Sequence, residues 1–457
     1  MFIKKNYINK IGFINFFIAL IPFSIALGNM AVNSNIVIIS LIGLYIYRLE
    51  IFRLDKNIYK YLIYMFFFYL IANTLINNLP NLNNDILYKE NLLKSFFFLR
   101  FLIFFLVINK LIEKNNFNIK LFFISSIFFS SFLVIDIIIQ LIFKKDLFGY
   151  VIVNNRPSGF FGDESIAGGY LQKFSLFTIF FLFWFFYGKK KFKIKFSIIF
   201  LFILIFFTTV LTANRMPIIL LFSSYVLFFM MEKKIKIIIS LFLFFSLMLV
   251  LLFKYPLTTR IDKDISNFYY QTSEIILNVP KLFFNKNSPV SKVDNSVSLN
   301  IGSNNPSLND DVKLLFNSYF NQFYIGLKIW KNNKIFGNGF KSFKLDKYPG
   351  ISAAFNTHPH NYTIEILVDT GIVGLVLIYL IFFMAMYNYL KFYNYNRNAK
   401  FRLLTVPFFL ILFFEVLPFR STGSFFSTGN AYIIFFVLAV VINVSKLKYS
   451  KNINSLK

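Results

Sequence analysis

Apolar runs long enough to cross a membrane recur along almost the whole of this chain, and no other feature constrains its fold as strongly. A helix needs roughly 20 apolar residues to cross about 30 Å of hydrocarbon. The bilayer interior offers no water to backbone N–H and C=O groups, so such runs must be helices that satisfy their own backbone. Segments near 11–28, 35–47, 60–77, 95–109, 120–143, 167–187, 196–212, 216–231, 237–255, 362–389, 403–418 and 429–445 fit this pattern. The expected fold is all-α: a polytopic integral membrane protein with about 12 transmembrane helices. Composition agrees, with 57% hydrophobic residues, 15% charged residues and 68 Phe among 457 positions, which excludes a soluble multidomain enzyme.

A net charge of +28 would point to nucleic acid in a soluble chain, but here its distribution follows topology. Apart from the long segment 256–361, which escapes the rule for short loops, alternate connections carry 26 and 7 basic residues, and the basic-rich side is expected to be cytoplasmic, with both termini inside and no nucleic-acid partner. Lys4, Lys5 and Lys10 precede a run of full spanning length without a small-x-small cleavage site, so it reads as a retained span rather than a signal peptide. The chain then divides into spans one to nine (1–255), a large extracytoplasmic loop between the ninth and tenth spans (256–361), and spans ten to twelve with a cytoplasmic tail (362–457). Within the loop, the Asn- and Ser-rich stretch 286–311 is expected to be mobile. Residues 312–333 place Leu315, Tyr319, Phe323 and Leu327 at fourfold spacing, which predicts an amphipathic helix stopped by the glycine-rich turn 336–340. A packed loop helix and a helix lying over a binding site both fit that spacing.

The topology gathers unusual polar residues on the outer side. Arg156, Arg215, Arg260, Arg420 and the two histidines, His358 and His360, come from four separate connections. Arg215 sits in a hairpin of a few residues, at membrane depth or just above it. Guanidinium there suits a phosphate or carboxylate, or it snorkels to lipid headgroups. His360 is the favoured general base, with His358 as the other choice; one of them simply capping the following helix is the bland alternative. Glu365 and Asp369 follow on the face that also carries His358 and Tyr362, placed to orient a histidine or balance an arginine. Asp136, Arg100, Lys173 and Glu415 lie within or near apolar spans, where internal ion pairing is expected. Cysteine is absent, so no thiolate site or disulfide exists, and a zinc reading of the histidines lacks a third ligand. No GxxxxGK[ST] motif is present, so ATP hydrolysis within this chain is not expected.

Cations outside the membrane and no nucleotide site suit a lipid-borne diphosphate substrate whose leaving group already carries the energy for transfer. Over about 150–430 the chain resembles the O-antigen ligase and O-antigen polymerase superfamily of bacterial membrane glycosyltransferases. The resemblance rests on RPSGFFGDESIAGGYL at 156–171, TANRMP at 212–217, KIWKNNKIFGNGFKSF at 328–343, HPHNYTIEILVDTGIVG at 358–374 and PFRSTGSFF at 418–426. It implies an enzyme of the inner membrane that acts on its periplasmic side. The glycan would pass from polyprenyl (undecaprenyl) diphosphate to a hydroxyl of lipid A-core, in lipopolysaccharide or surface polysaccharide biosynthesis, without metal or other cofactor. By motif, His360 and Arg215 carry the catalytic roles; Arg156, Arg260, Arg420, His358, Glu365 and Asp369, gathered on the same side by topology, are expected to serve substrate binding. Family members often carry an arginine before the segment equivalent to 328–343; here 320–325 reads FNQFYI, so either Arg260 or a lysine such as Lys328 substitutes or that contact is absent. A polymerase extending a lipid-linked glycan acceptor shares these features, and a flippase for lipid-linked oligosaccharide is the competitor from another class.

Overall fold

The computed structural model describes residues 2–54, 58–81, 86–153, 156–164, 166–188, 192–254, 319–343, 358–396, 398–418, 420 and 423–447. Among these the regular structure is helical, and the β-structure is limited to isolated bridges from Lys145 to Val151 and from Val153 to Arg156. In order, the helices are α1 (Phe2–Ala19), α2 (Ile21–Ala26), α3 (Asn29–Tyr47), α4 (Ile58–Asn78), α5 (Ile86–Glu113), α6 (Ile119–Phe143) and α7 (Ala167–Phe185). Then follow α8 (Phe192–Leu211), α9 (Arg215–Met231), α10 (Ile235–Lys254), α11 (Tyr319–Asn332), α12 (Tyr362–Tyr395), α13 (Ala399–Glu415) and α14 (Thr428–Ile442).

Each apolar segment of the sequence falls on a helix, the first being divided where Pro22 opens α2 and cannot donate a backbone hydrogen bond. By length and composition, five helices can cross a membrane: Asn29–Phe52, Ile58–Asn78, Ile86–Glu113, Ile119–Phe143 and Tyr362–Tyr395. Lys10–Ala19, Ser197–Leu211, Arg215–Met231, Ile235–Phe244 and Thr428–Ile442 are apolar but shorter. The helix expected over 312–333 begins at Tyr319 and ends at Asn332, and residues 312–318 with Leu315 lie outside the described residues. So does the Asn- and Ser-rich tract 286–311.

Phenylalanine builds the interior. Helix α5 packs on α3, α4 and α14, and its Phe98 ring meets Phe67 at 5.5 Å and both Phe340 and Phe426 at 5.4 Å. Stacked and edge-to-face rings add to the area they bury, which gives the abundant Phe a packing role. Helix α14 is buried from Ala431 to Val441, as a helix that is apolar all round must be. On the other side of the core, α7 packs on α6, α8, α9 and α13. The basic end of the bundle is tied by carboxylates. Glu113 pairs with Lys446 at 3.0 Å and Lys60 at 3.6 Å, Glu50 with Lys114 at 3.3 Å, and Glu232 with Arg402 at 3.1 Å.

Helix α12 is broken at Gly371 (φ 64°, ψ −167°), and the turn after α11 fills the break. Asn338 and Gly339 donate their N–H groups to the carbonyls of Val368 and Asp369, both at 2.9 Å. In return, Ile372 and Val373 donate to the carbonyls of Lys334 and Ile335 at 3.0 and 3.2 Å. Tyr69 of α4 donates to the carbonyls of Phe336 and Thr370 at 2.9 and 2.8 Å. Backbone groups freed by the break are thereby satisfied away from water, the condition for irregular backbone at membrane depth. The approach is so close that a Cβ on Gly371 would overlap the Ile335 carbonyl oxygen, at a φ that L side chains disfavour. Gly371→Ala is therefore expected to destabilise the protein by about 2 kcal/mol or more, measured as a lower thermal unfolding midpoint in detergent. An unchanged midpoint would show that the two segments separate without cost.

Candidate functional site

Where the HPHN string turns into α12, Asn361 does the capping. Its Oδ1 accepts from the Ile364 N–H at 3.0 Å, and its Nδ2 donates to the carbonyls of Pro418 and Arg420 at 2.7 and 3.1 Å. One side chain thus closes the first turn of α12 and ties it to the loop after α13. The helix cap falls to Asn361 and to neither histidine. The rings of His358 and His360 lie 4.3 Å apart, centre to centre, on a half-buried ledge, and His360 adopts a left-handed backbone with φ of 50°. Burial, followed by the fields of His360 and Lys341, lowers the His358 imidazole to about 4, so it is neutral at neutral pH.

Beneath the ledge lies a buried ionic triad. The Glu415 carboxylate pairs with Arg420 at 2.8 Å and with Lys173 of α7 at 3.2 Å, and it accepts from the Tyr362 hydroxyl at 3.3 Å. Arg420 also donates to the Phe414 carbonyl at 3.2 Å. Of the intramembrane groups expected to pair, Lys173 and Glu415 do so. Among the described residues Asp136 and Arg100 form no ion pair: Asp136 accepts from the Leu147 N–H at 2.9 Å, and Arg100 donates to the Phe97 carbonyl at 2.7 Å.

Glu365 and Asp369 serve two loops. Glu365 accepts from the Ser424 hydroxyl and the Phe425 N–H. Asp369 accepts from the Lys341 N–H at 2.7 Å, and from the Ser342 N–H and hydroxyl at 3.0 and 2.8 Å. These buried carboxylates fix the segments that carry Phe425 and Lys341. Their described hydrogen bonds go to those loops, not to a histidine or arginine.

The structure brings His358, His360, Glu365, Asp369 and Arg420 together around the start of α12. Arg215 is the first residue of α9, which packs on α7 and α13, the helices that carry Lys173 and Glu415. The hairpin before it is tight: Thr212 and Asn214 lie against Gly168, and Ala213 adopts φ of 53°. Arg156 belongs to the α6–α7 connection, where its N–H donates to the Val153 carbonyl at 3.0 Å. Arg260 lies outside the described residues. Lys341 and Asn361 are the residues that the sequence did not single out. Asn361 sits in an N-cap position that its residue type favours, whereas Lys341 has no local signal. Among the described residues, no group of three or more His, Cys, Asp or Glu is placed to hold a metal ion.

The family model for O-antigen ligase matches residues 200–379. This stretch is similar to the O-antigen ligase domain. No curated protein matches the chain. The matched stretch contains Arg215, His358, His360, Glu365 and Asp369, while Arg420 and its partners Glu415 and Lys173 lie outside it. The match, together with the long apolar helices, fits a multi-pass membrane protein.

Proposed function

We propose that this protein is a membrane glycosyltransferase of the ligase type, moving a glycan from polyprenyl diphosphate to an acceptor hydroxyl such as that of lipid A-core. The observation that carries the reading is the His358–His360 pair, held against the Arg420 loop within a stretch matching O-antigen ligase. In this reading the acceptor oxygen bonds to the anomeric carbon as the bond from that carbon to the diphosphate breaks. His360 takes the hydroxyl proton, and polyprenyl diphosphate leaves with the electron pair. Arg215, with Arg420, Arg156 and Arg260 as further cations, meets the charge developing on the diphosphate. Glu365 and Asp369 position the loops around the site. Twelve crossings, cytoplasmic termini and a periplasmic histidine ledge in a bacterial inner membrane complete the proposal; the basic bias of alternate connections supports it.

The test is the length distribution of carrier-linked glycan in a strain lacking the gene, compared with its parent. Long chains held on the carrier are expected, because polymerisation continues when final transfer fails. Single repeats on the carrier would identify a polymerase instead, and an unchanged carrier pool would remove the protein from this chemistry.

A further inference from the structure

Two cations on the α4–α5 flank of the histidine ledge stand without a carboxylate. Arg100 lies midway along α5, half-buried, with Nη1 donating to the Phe97 carbonyl at 2.7 Å and Nη2 to the Thr428 hydroxyl at 3.3 Å. Its Nε is buried with no hydrogen-bond acceptor, and its guanidinium stacks over the Phe101 ring at 4.6 Å. Lys341 is half-buried in the turn that fills the α12 break. Among the described residues, neither comes within 4.0 Å of a carboxylate oxygen. A cation inside a membrane helix, such as Arg100, ordinarily has an anionic partner, and here Arg100 lies instead in the field of a second cation, Lys341.

Two hydrogen bonds hold the backbone of Lys341 in a left-handed conformation. Asp369 accepts its N–H at 2.7 Å, Asn91 of α5 donates to its carbonyl at 3.2 Å, and its φ is 53°. A non-glycine residue in that conformation costs about 1 kcal/mol, so the surroundings hold Lys341 in place against its own preference. Its ammonium shares the fields of His358, Arg100 and Lys94. Lys94 is already paired with Glu90 at 2.7 Å. The carboxyl groups of Glu365 and Asp369 act on Lys341 more strongly than Lys94 and Arg100 do, while their oxygens accept from the loop donors described above and lie beyond ion-pair distance of its ammonium. Burial pushes the Lys341 ammonium down from its ordinary value, a cost that a bound anion would offset.

We propose that Arg100 and Lys341 form a phosphate subsite beside the histidine pair, separate from the Arg420–Glu415–Lys173 cluster. A planar guanidinium and a point ammonium suit a phosphoryl group, which either the diphosphate of the donor lipid or a phosphate on the acceptor supplies. This inference rests on the transferase reading for its substrate, but its binding test does not need transfer to occur.

The probe is inorganic pyrophosphate, followed by farnesyl diphosphate, binding to the full-length protein in detergent. Arg100→Gln and Lys341→Gln are each expected to weaken binding about tenfold or more, as loss of a charge-assisted contact implies, while Arg100→Lys and Lys341→Arg retain most of it. Binding to the unmodified protein should weaken as ionic strength rises, a readout that needs no variant. A salt-independent affinity, or a double glutamine variant that binds within about twofold of the parent, overturns the subsite. In steady-state transfer, a KM raised for the donor alone assigns the phosphate to the donor, and one raised for the acceptor alone assigns it to the acceptor. If pyrophosphate binding is lost in the variants of a protein that transfers no glycan, the subsite stands and the transferase reading falls. If transfer needs His360 but neither binding nor KM moves in the double variant, the transferase reading stands and the subsite falls.

Discussion

His360→Ala is expected to slow glycan transfer by about 100- to 10,000-fold, the usual range for loss of a positioned general base, while the amount of inserted protein is unchanged. Alanine occupies the φ of 50° at His360 with strain similar to that of histidine, and the α12 cap belongs to Asn361, so the fold should survive the change. The loss should fall on kcat, with little effect on KM for the donor, because proton removal belongs to the transition state. His358→Ala should cost less. With its imidazole lowered to about 4, His358 is neutral across the working range but a weak base, and its ring 4.3 Å from His360 fits a positioning role. A rate profile with its acid limb near pH 4, abolished by His358→Ala, would reassign the base to His358. Transfer by a stably inserted His360→Ala variant at the parent's rate would remove that residue from the chemistry.

Helices and loops were not equally legible. A spanning helix announces itself through one local rule, about 20 apolar residues, and every segment meeting that pattern falls on a helix. The ledge was legible for the same kind of reason: Arg420, His358 and His360 are polar residues at the ends of apolar runs, where few residue types are expected. The break in α12 was not. Gly371 lies inside an apolar run that reads as continuous helix, and its partner turn at 334–340 is about thirty residues away, joined through hydrogen bonds that leave no periodicity. Lys341 escaped for that reason, since its place is set by Asp369 and Asn91 rather than by its neighbours in sequence. The expectation for Glu365 and Asp369 had the right face of the helix but not the partners: their oxygens hold the 424–425 and 341–342 loops. Arg100 was expected to pair and instead stands without an acid among the described residues.

Glu415→Gln is expected to be the most damaging single change to stability in this site, at about 3–5 kcal/mol, because it leaves Lys173 and Arg420 buried without a counter-charge. Glu415 is the last residue of α13, where the helix dipole presents its negative end and disfavours a carboxylate. Two cations against one anion reverse that penalty and leave the triad with one positive charge in excess, a favourable setting for the diphosphate in the transferase reading. Lys173→Met separates these roles. It keeps the 2.8 Å pair between Arg420 and Glu415 and replaces a buried ammonium by an apolar chain, so stability should change little or rise. Thermal unfolding of both variants in detergent, with donor KM measured alongside, checks the account. A lower midpoint for Glu415→Gln, a near-parental midpoint for Lys173→Met and a raised donor KM in Lys173→Met are the expected set. Equal destabilisation by both changes would mean that packing of the three side chains, rather than their charge balance, holds α7 against the end of α13.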